Sequence, residues 1–270
     1  MKALNISGRI MQIEIGISQI SLCGIKNLTY QNILNFYLQC NIRSVSAVPS
    51  VLQIMQSSRT FTPVNLGSSS VYNSITHNSI QGVLHGISPL DADLKKRVRK
   101  RIIELDKYLN DWNIYEIVLG SIPFRENFDI WKWVVQEFRD YVEYRKIQLT
   151  LEMICNSKIN CDGDDHNLIG GLSFQADVLY AFDFANSLLC LNHNYEKYFL
   201  SKKISSIHLS GENHTIFGKE DLEKLKKMIS PKFLLNVPVY WEFLGYNNWV
   251  DLNSAINESK KIIKNHVVTE

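Results

Sequence analysis

Four apolar runs in the second half of the chain each end in one polar residue able to hold a metal ion. They are Leu149-Thr150-Leu151-Glu152, Val178-Leu179-Tyr180-Ala181-Phe182-Asp183, Ile204-Ser205-Ser206-Ile207-His208 and Val237-Pro238-Val239-Tyr240-Trp241-Glu242. Short apolar runs without clean alternation read as strands buried on both faces. A carboxylate at the end of such a run is costly to bury unless it is paired or bound to a cation. Two Glu, one Asp and one His make a hard, oxygen-rich donor set. Such a set suits Mn²⁺, Mg²⁺ or Co²⁺ better than structural Zn²⁺, which prefers Cys and His. Four such endings predict four strands converging on one divalent metal ion, with Glu152, Asp183, His208 and Glu242 as its ligands.

The elements that must position them follow from the spacing. Glu152 to Asp183 is 31 residues, Asp183 to His208 is 25, and His208 to Glu242 is 34. One strand–helix–strand repeat takes about 30 residues or more. Each ligand therefore sits one repeat after the last, and parallel neighbouring strands would present all four at one edge. Strand and helix patterns alternate through the rest of the chain, which predicts a single α/β domain over residues 1–270, a (β/α)₈ TIM barrel, with 1–11 as an N-terminal extension. The strands expected before Glu152 are Gln12–Ile20, Ile42–Val48 stopped by Pro49, Ile80–Ile87 and Ile114–Leu119. The expected helices are Leu28–Cys40, Pro89–Asp111, Ile130–Arg145, Asn186–Leu200, Lys219–Ile229 and Trp249–Ile263. Pro89–Asp111 is the clearest, with Leu94, Val98, Ile102, Leu105 and Leu109 at helical spacing. Its basic cluster, Lys95 to Lys100, reads as a solvated face. Asn156–Gln175 shows no helix and reads as an abbreviated crossover or a loop over the site. Ser57–Ser79 is the least regular segment and reads as a surface loop.

Bulk properties narrow the classes. The chain has 270 residues, 45% hydrophobic and 21% charged, values of an ordinary globular protein. A net charge of +2 gives no case for nucleic acid or an anionic membrane as partner. No run approaches the roughly 18 apolar residues of a membrane span. The first residues lack an apolar stretch of signal-peptide length. Five cysteines, with no C-x-x-C pair, do not make a disulfide framework and suit a reducing cytoplasm. Cys155 and Cys161 read as packing residues, and His77, His166 and His193 as surface residues. No Gly-rich phosphate loop, nucleophile elbow or H-E-x-x-H motif appears.

Ligands Glu, Asp, His and Glu at the ends of strands five to eight resemble the xylose-isomerase-like barrel superfamily. The local matches are Leu151-Glu152, Phe182-Asp183, Ile207-His208-Leu209-Ser210 with Phe217-Gly218, and Trp241-Glu242. Leu84-His85-Gly86 resembles the family's strand-three histidine. The chain departs from the pattern at Asn186, where many members carry a His. It departs again at Leu119-Gly120-Ser121 and Ser44-Val45-Ser46, which lack the further ligands of the three-metal nucleases and argue against phosphodiester cleavage. The resemblance implies a metal-dependent isomerase or epimerase of a small polyhydroxy ketone, sugar or sugar phosphate. In this reading Glu152 and Glu242 are acid and base as well as ligands, while Asp183 and His208 are mainly ligands. His85, Asn186 and His214 would contact substrate. Mn²⁺ is the first choice of metal, and pairing into a homodimer is common among relatives. Two alternatives share the barrel: a dehydratase working through the same enediolate, and a metal-binding barrel without turnover.

Overall fold

The computed structural model describes residues 15–42, 44–59, 77–112, 114–120, 124, 127–153, 179–188, 194–235 and 237–267. Eight parallel strands close into a barrel in sequence order. They are β1 (Ile15–Ser18), β2 (Ser44–Ala47), β3 (His77–Ile80), β4 (Glu116–Leu119), β5 (Gln148–Met153), β6 (Leu179–Asp183), β7 (Ile204–Leu209) and β8 (Val239–Trp241). The ring closes where Ile15, Gly16 and Ile17 pair with Val239, Tyr240 and Trp241. The expected α/β barrel is therefore the observed fold.

The outer helices form where apolar residues recur at helical spacing. They are α1 (Tyr30–Gln39), α2 (Pro49–Arg59), α3 (Leu94–Trp112), α4 (Phe128–Arg145), α5 (Phe184–Ser187), α6 (Glu196–Leu200), α7 (Lys219–Met228) and α8 (Trp249–Val267). Helix α3 buries Val98, Ile102, Leu105, Leu109 and Trp112, one stripe along its length. Its basic run faces outward and is partly paired, Arg99 to Glu137 at 2.8 Å and Lys100 to Glu104 at 3.8 Å. Helix α4 starts at Asn127, whose side chain caps the amide of Ile130, and ends at Lys146 in the left-handed region at φ 55°. Helix α8 seals the ring against α1: Lys260 Nζ donates to the Cys40 carbonyl at 2.7 Å, and Cys40 Sγ donates to Asn253 Oδ1 at 3.1 Å. No helix among the described residues is long and apolar enough to cross a membrane.

Three expectations change. Strand β3 ends at Ile80, where the sequence reading had it begin, and residues 83–86 form a turn. Helix α2 is an addition to the elements expected, beginning at Pro49, which in sequence reads only as a strand stop. A proline is also tolerated in the first turn of a helix, and Val51, Leu52 and Met55 are buried behind it. The helix expected over Asn186–Leu200 is two short pieces, α5 and α6, among the described residues. The extension at 1–11, most of Ser57–Ser79, Asn156–Gln175, Ser121, Cys155, Cys161, His166 and His193 lie outside the described residues.

The barrel interior departs from the bulky aliphatic filling usual for this architecture. Buried inside are Ser18, Ser46, Ser79, Thr150 and Ser206, with Glu116 and the ring of Tyr240. Ser79 Oγ bonds Ser46 Oγ at 3.1 Å, and Thr150 Oγ1 donates to Glu116 Oε1 at 2.5 Å. The Tyr240 hydroxyl reaches across to Ser79; burial and the charge of Glu116 push its pKa well up. Gly16 is the register partner of Tyr240, and a Cβ on it would sit 2.2 Å from the Ser44 carbonyl oxygen. That neighbour is backbone and cannot swing away. Gly16→Ala is therefore expected to cost about 2 kcal/mol, within the range for overpacked cores. The melting temperature should fall by roughly 4–8 °C. A scan showing no loss would mean that β1 and β2 are not held so closely.

Candidate metal centre

The C-terminal ends of β5 to β8 lie side by side, and parity along each strand decides which residues face inward. On β6 and β7, Asp183 and His208 are direct register partners. Glu152 is the fifth of six residues in β5. Glu242 follows the last residue of β8, and its amide donates to the Leu209 carbonyl at 2.9 Å, which fixes its height against His208. One ligand atom from each of Glu152, Asp183, His208 and Glu242 lies within 4.8 Å of the other three. Asp183, His208 and Glu242 are buried, and Glu152 is partly exposed.

Neighbouring groups hold two of the carboxylates in place and leave room for the third. Asp183 is the N-cap of α5: its Oδ1 accepts from the Asn186 amide at 2.9 Å, and its Oδ2 accepts from Asn186 Nδ2 at 3.0 Å. Asn186 therefore spends its side chain on orienting Asp183. Glu242 Oε2 lies 3.0 Å from His208 Nδ1 and accepts from Gln81 Nε2 at 3.1 Å. Gly120, just past β4, leaves room for Glu152: a Cβ there would lie 2.6 Å from Glu152 Oε2. The His208 ring meets Tyr240 edge-on, with centroids 5.8 Å apart.

The electrostatics show a site short of positive charge. Burial pushes the Glu152 carboxyl well above the usual carboxylate range, and the charges of Asp183 and Glu242 add to this. Burial and the charge of Glu242 also raise Asp183. Burial opposes an imidazolium at His208, but Glu242, Glu152 and Asp183 outweigh it and carry its pKa up to about 9. Burial likewise works against ionised Glu242, yet the positive charge of His208 3.0 Å away holds it at about 2. Buried His208 Nε2 has no hydrogen-bond partner among the described residues. Three carboxylates, an imidazole with an unused nitrogen and shared protonation fit a divalent cation.

His214 stands in the loop after β7, its Nδ1 3.3 Å from Ser210 Oγ, close enough for its charge to lower Asp183 and Glu242. Asn213 and His214 both have φ of 56°, a strained left-handed pair in non-glycine residues, and Leu244 N donates to the His214 carbonyl at 2.9 Å. His85 is exposed in the turn after β3 and does not end that strand; Gln81 takes the inward position. Gln81 and Gly120 were not anticipated. Gln81 follows a serine-rich strand with no apolar signature, and Gly120 acts through the absence of a side chain.

No family model matches this sequence. No curated protein matches it either. Solved structures do match along nearly the whole chain. One is the D-psicose 3-epimerase with D-tagatose from Clostridium cellulolyticum H10, at TM-score 0.60 and 11% identity, covering 94% of this chain and 99% of that one. A second is the probable 3-DHS dehydratase of petrobactin synthesis from Bacillus anthracis, at TM-score 0.56 and 14% identity, covering 95% and 99%. A third is a xylose isomerase-like TIM barrel protein from Mycobacterium smegmatis in complex with magnesium, at TM-score 0.50 and 11% identity, covering 95% and 96%. The chain shares the fold of the xylose-isomerase-like TIM barrels.

The protonation pattern gives a signed prediction. Glu152, Asp183 and His208 hold protons more tightly folded than unfolded, so their contribution to stability declines as pH rises, for His208 through about 9. The contribution of Glu242 is present above its unfolded pKa and is lost only as pH falls through about 2. Between pH 6 and 9 the metal-free protein should therefore lose stability. Metal binding needs the deprotonated ligands, so affinity rises over the same window. The melting-temperature gain on adding Mn²⁺ is expected to be larger at pH 8 than at pH 6. Equal gains would contradict the shared-proton cluster.

Proposed function

We propose that this chain is a divalent-metal-dependent isomerase or epimerase of a small polyhydroxy ketone, a sugar or sugar phosphate, with Mn²⁺ as the first-choice metal. The observation that carries the reading is the Glu152–Asp183–His208–Glu242 cluster at the C-terminal rim of the barrel. Active sites of this architecture lie at that rim. The likeness to an epimerase and a dehydratase is consistent with the reading.

When bound, a divalent cation supplies Lewis-acid polarisation of the substrate's carbonyl and neighbouring hydroxyl, which acidifies the adjacent C–H. All four cluster residues would hold it. Glu152 and Glu242 have second roles. They come from β5 and β8, with β6 and β7 between them, a separation that supports roles on different sides of a substrate. One removes the proton from the carbon next to the carbonyl, giving an enediolate, and the other returns a proton to the opposite face or the neighbouring carbon. Positioned acid–base groups of this kind contribute about 10² to 10⁴ in rate. His214, in the loop after β7, would donate from its imidazole to a distal substrate hydroxyl or phosphate. Asn186 stays engaged with Asp183 and shapes the site through it.

The test is incubation of purified, Mn²⁺-loaded protein with a ketose panel in D₂O. Deuterium at the carbon next to the carbonyl of recovered sugar is the expected result, with Glu152→Gln and Glu242→Gln each lowering its incorporation at least a hundredfold. An ultraviolet-absorbing enone instead would assign the dehydratase chemistry. Incorporation at wild-type rate in Glu152→Gln would remove that residue from the acid–base role.

A further inference from the structure

Gln81 is a buried amide just past the end of β3, and its backbone is anchored by donation to the Ala47 carbonyl at 2.8 Å. Its side chain leaves β3 for the opposite side of the ring closure. A carboxylate only accepts hydrogen bonds, so the group facing Glu242 must be the amide NH₂ and not its oxygen. That nitrogen carries two protons. One goes to Glu242 Oε2 at 3.1 Å and the other to Ser18 Oγ at 2.5 Å. Ser18 itself is fixed at the end of β1, where it caps the turn Gln19–Leu22. His208 Nδ1 also addresses Oε2, at 3.0 Å.

The geometry points to Gln81 as a positioning residue: a Ser18–Gln81 clamp holds Glu242 by Oε2 and fixes the orientation of its carboxylate at the cluster. This rests on the reading of the cluster as a metal centre. The clamp ties together three strands of the first half of the barrel, β1 directly and β2 and β3 through the Gln81 backbone, with the ligand that closes the second half. An amide is suited to the task because it donates at every pH, whereas an imidazole in that place would lose its second donor on deprotonation. Groups that orient ligands from behind typically cost 10- to 100-fold in metal affinity or activity when removed.

Gln81→Met keeps length and volume while deleting both donors, and Ser18→Ala removes the far anchor. Mn²⁺ alone is the probe, titrated by calorimetry into each full-length variant, with metal-free crystal structures beside it. Gln81→Met is expected to weaken Mn²⁺ binding 10- to 100-fold and to rotate the Glu242 carboxylate in the metal-free structure. Ser18→Ala should shift both in the same direction by less. The double variant should match Gln81→Met alone in Mn²⁺ affinity and in the Glu242 carboxylate, since Ser18 reaches Glu242 only through the amide. A purely packing role would lower the melting temperature and leave both the carboxylate and the Mn²⁺ affinity in place, and that result overturns the proposal. Failure of the wild-type protein to bind Mn²⁺ would sink the metal-centre reading, while the metal-free structures would still decide the clamp.

Discussion

Three carboxylates forced together inside a protein are the constraint from which the rest of this molecule follows. Two like charges about 4 Å apart repel by about 4 kcal/mol at the effective dielectric of a protein. Glu152, Asp183 and Glu242 impose several such terms at once. The metal-free fold meets them by holding extra protons, with His208 positive against Glu242 and the other two carboxyls shifted upward. That arrangement is a compromise, and a bound cation would replace it. Destabilised clusters of this kind are common at functional sites, where activity and stability pull in different directions.

The surroundings are built to keep these groups from relaxing. Asn186 holds both oxygens of Asp183, Gln81 holds one oxygen of Glu242, and Gly120 keeps a side chain out of the space used by Glu152. Beneath them the barrel carries serines and a threonine where aliphatic residues usually pack. The single large ring of Tyr240 fills the gap those small residues leave, and it supports His208 from below. Polar filling costs apolar burial, but several of these hydroxyls find a partner across the ring, as Ser79 does with Ser46 and Thr150 with Glu116.

The second half of the barrel was legible in the sequence because β5 to β8 place one polar residue after an apolar run, at intervals of one repeat. Helix α3 was legible for the same kind of reason, its apolar stripe being unbroken. The first half was harder. Strand β3 reads His77-Asn78-Ser79-Ile80, and its inward-facing serine gives no apolar signal. The next apolar residues lie past the strand end, and Gln81 rather than His85 takes the inward position. Helix α2 was hidden by Pro49 and by its glutamines and serines. Asn186 was noted for what it lacks, whereas its contact with Asp183 depends on the cap geometry of α5. A glycine such as Gly120 cannot be read at all until the neighbour it makes room for is known.

The hydrogen bond from Leu244 to the His214 carbonyl joins the connections that follow β7 and β8. One of those connections begins two residues past His208 and the other at Glu242 itself. Remodelling either to admit a bulkier molecule would drag the other along and disturb two of the four donors together. Change at this rim is therefore expected to accumulate on the far side of the ring, where the chain can lengthen without moving any of the four donors.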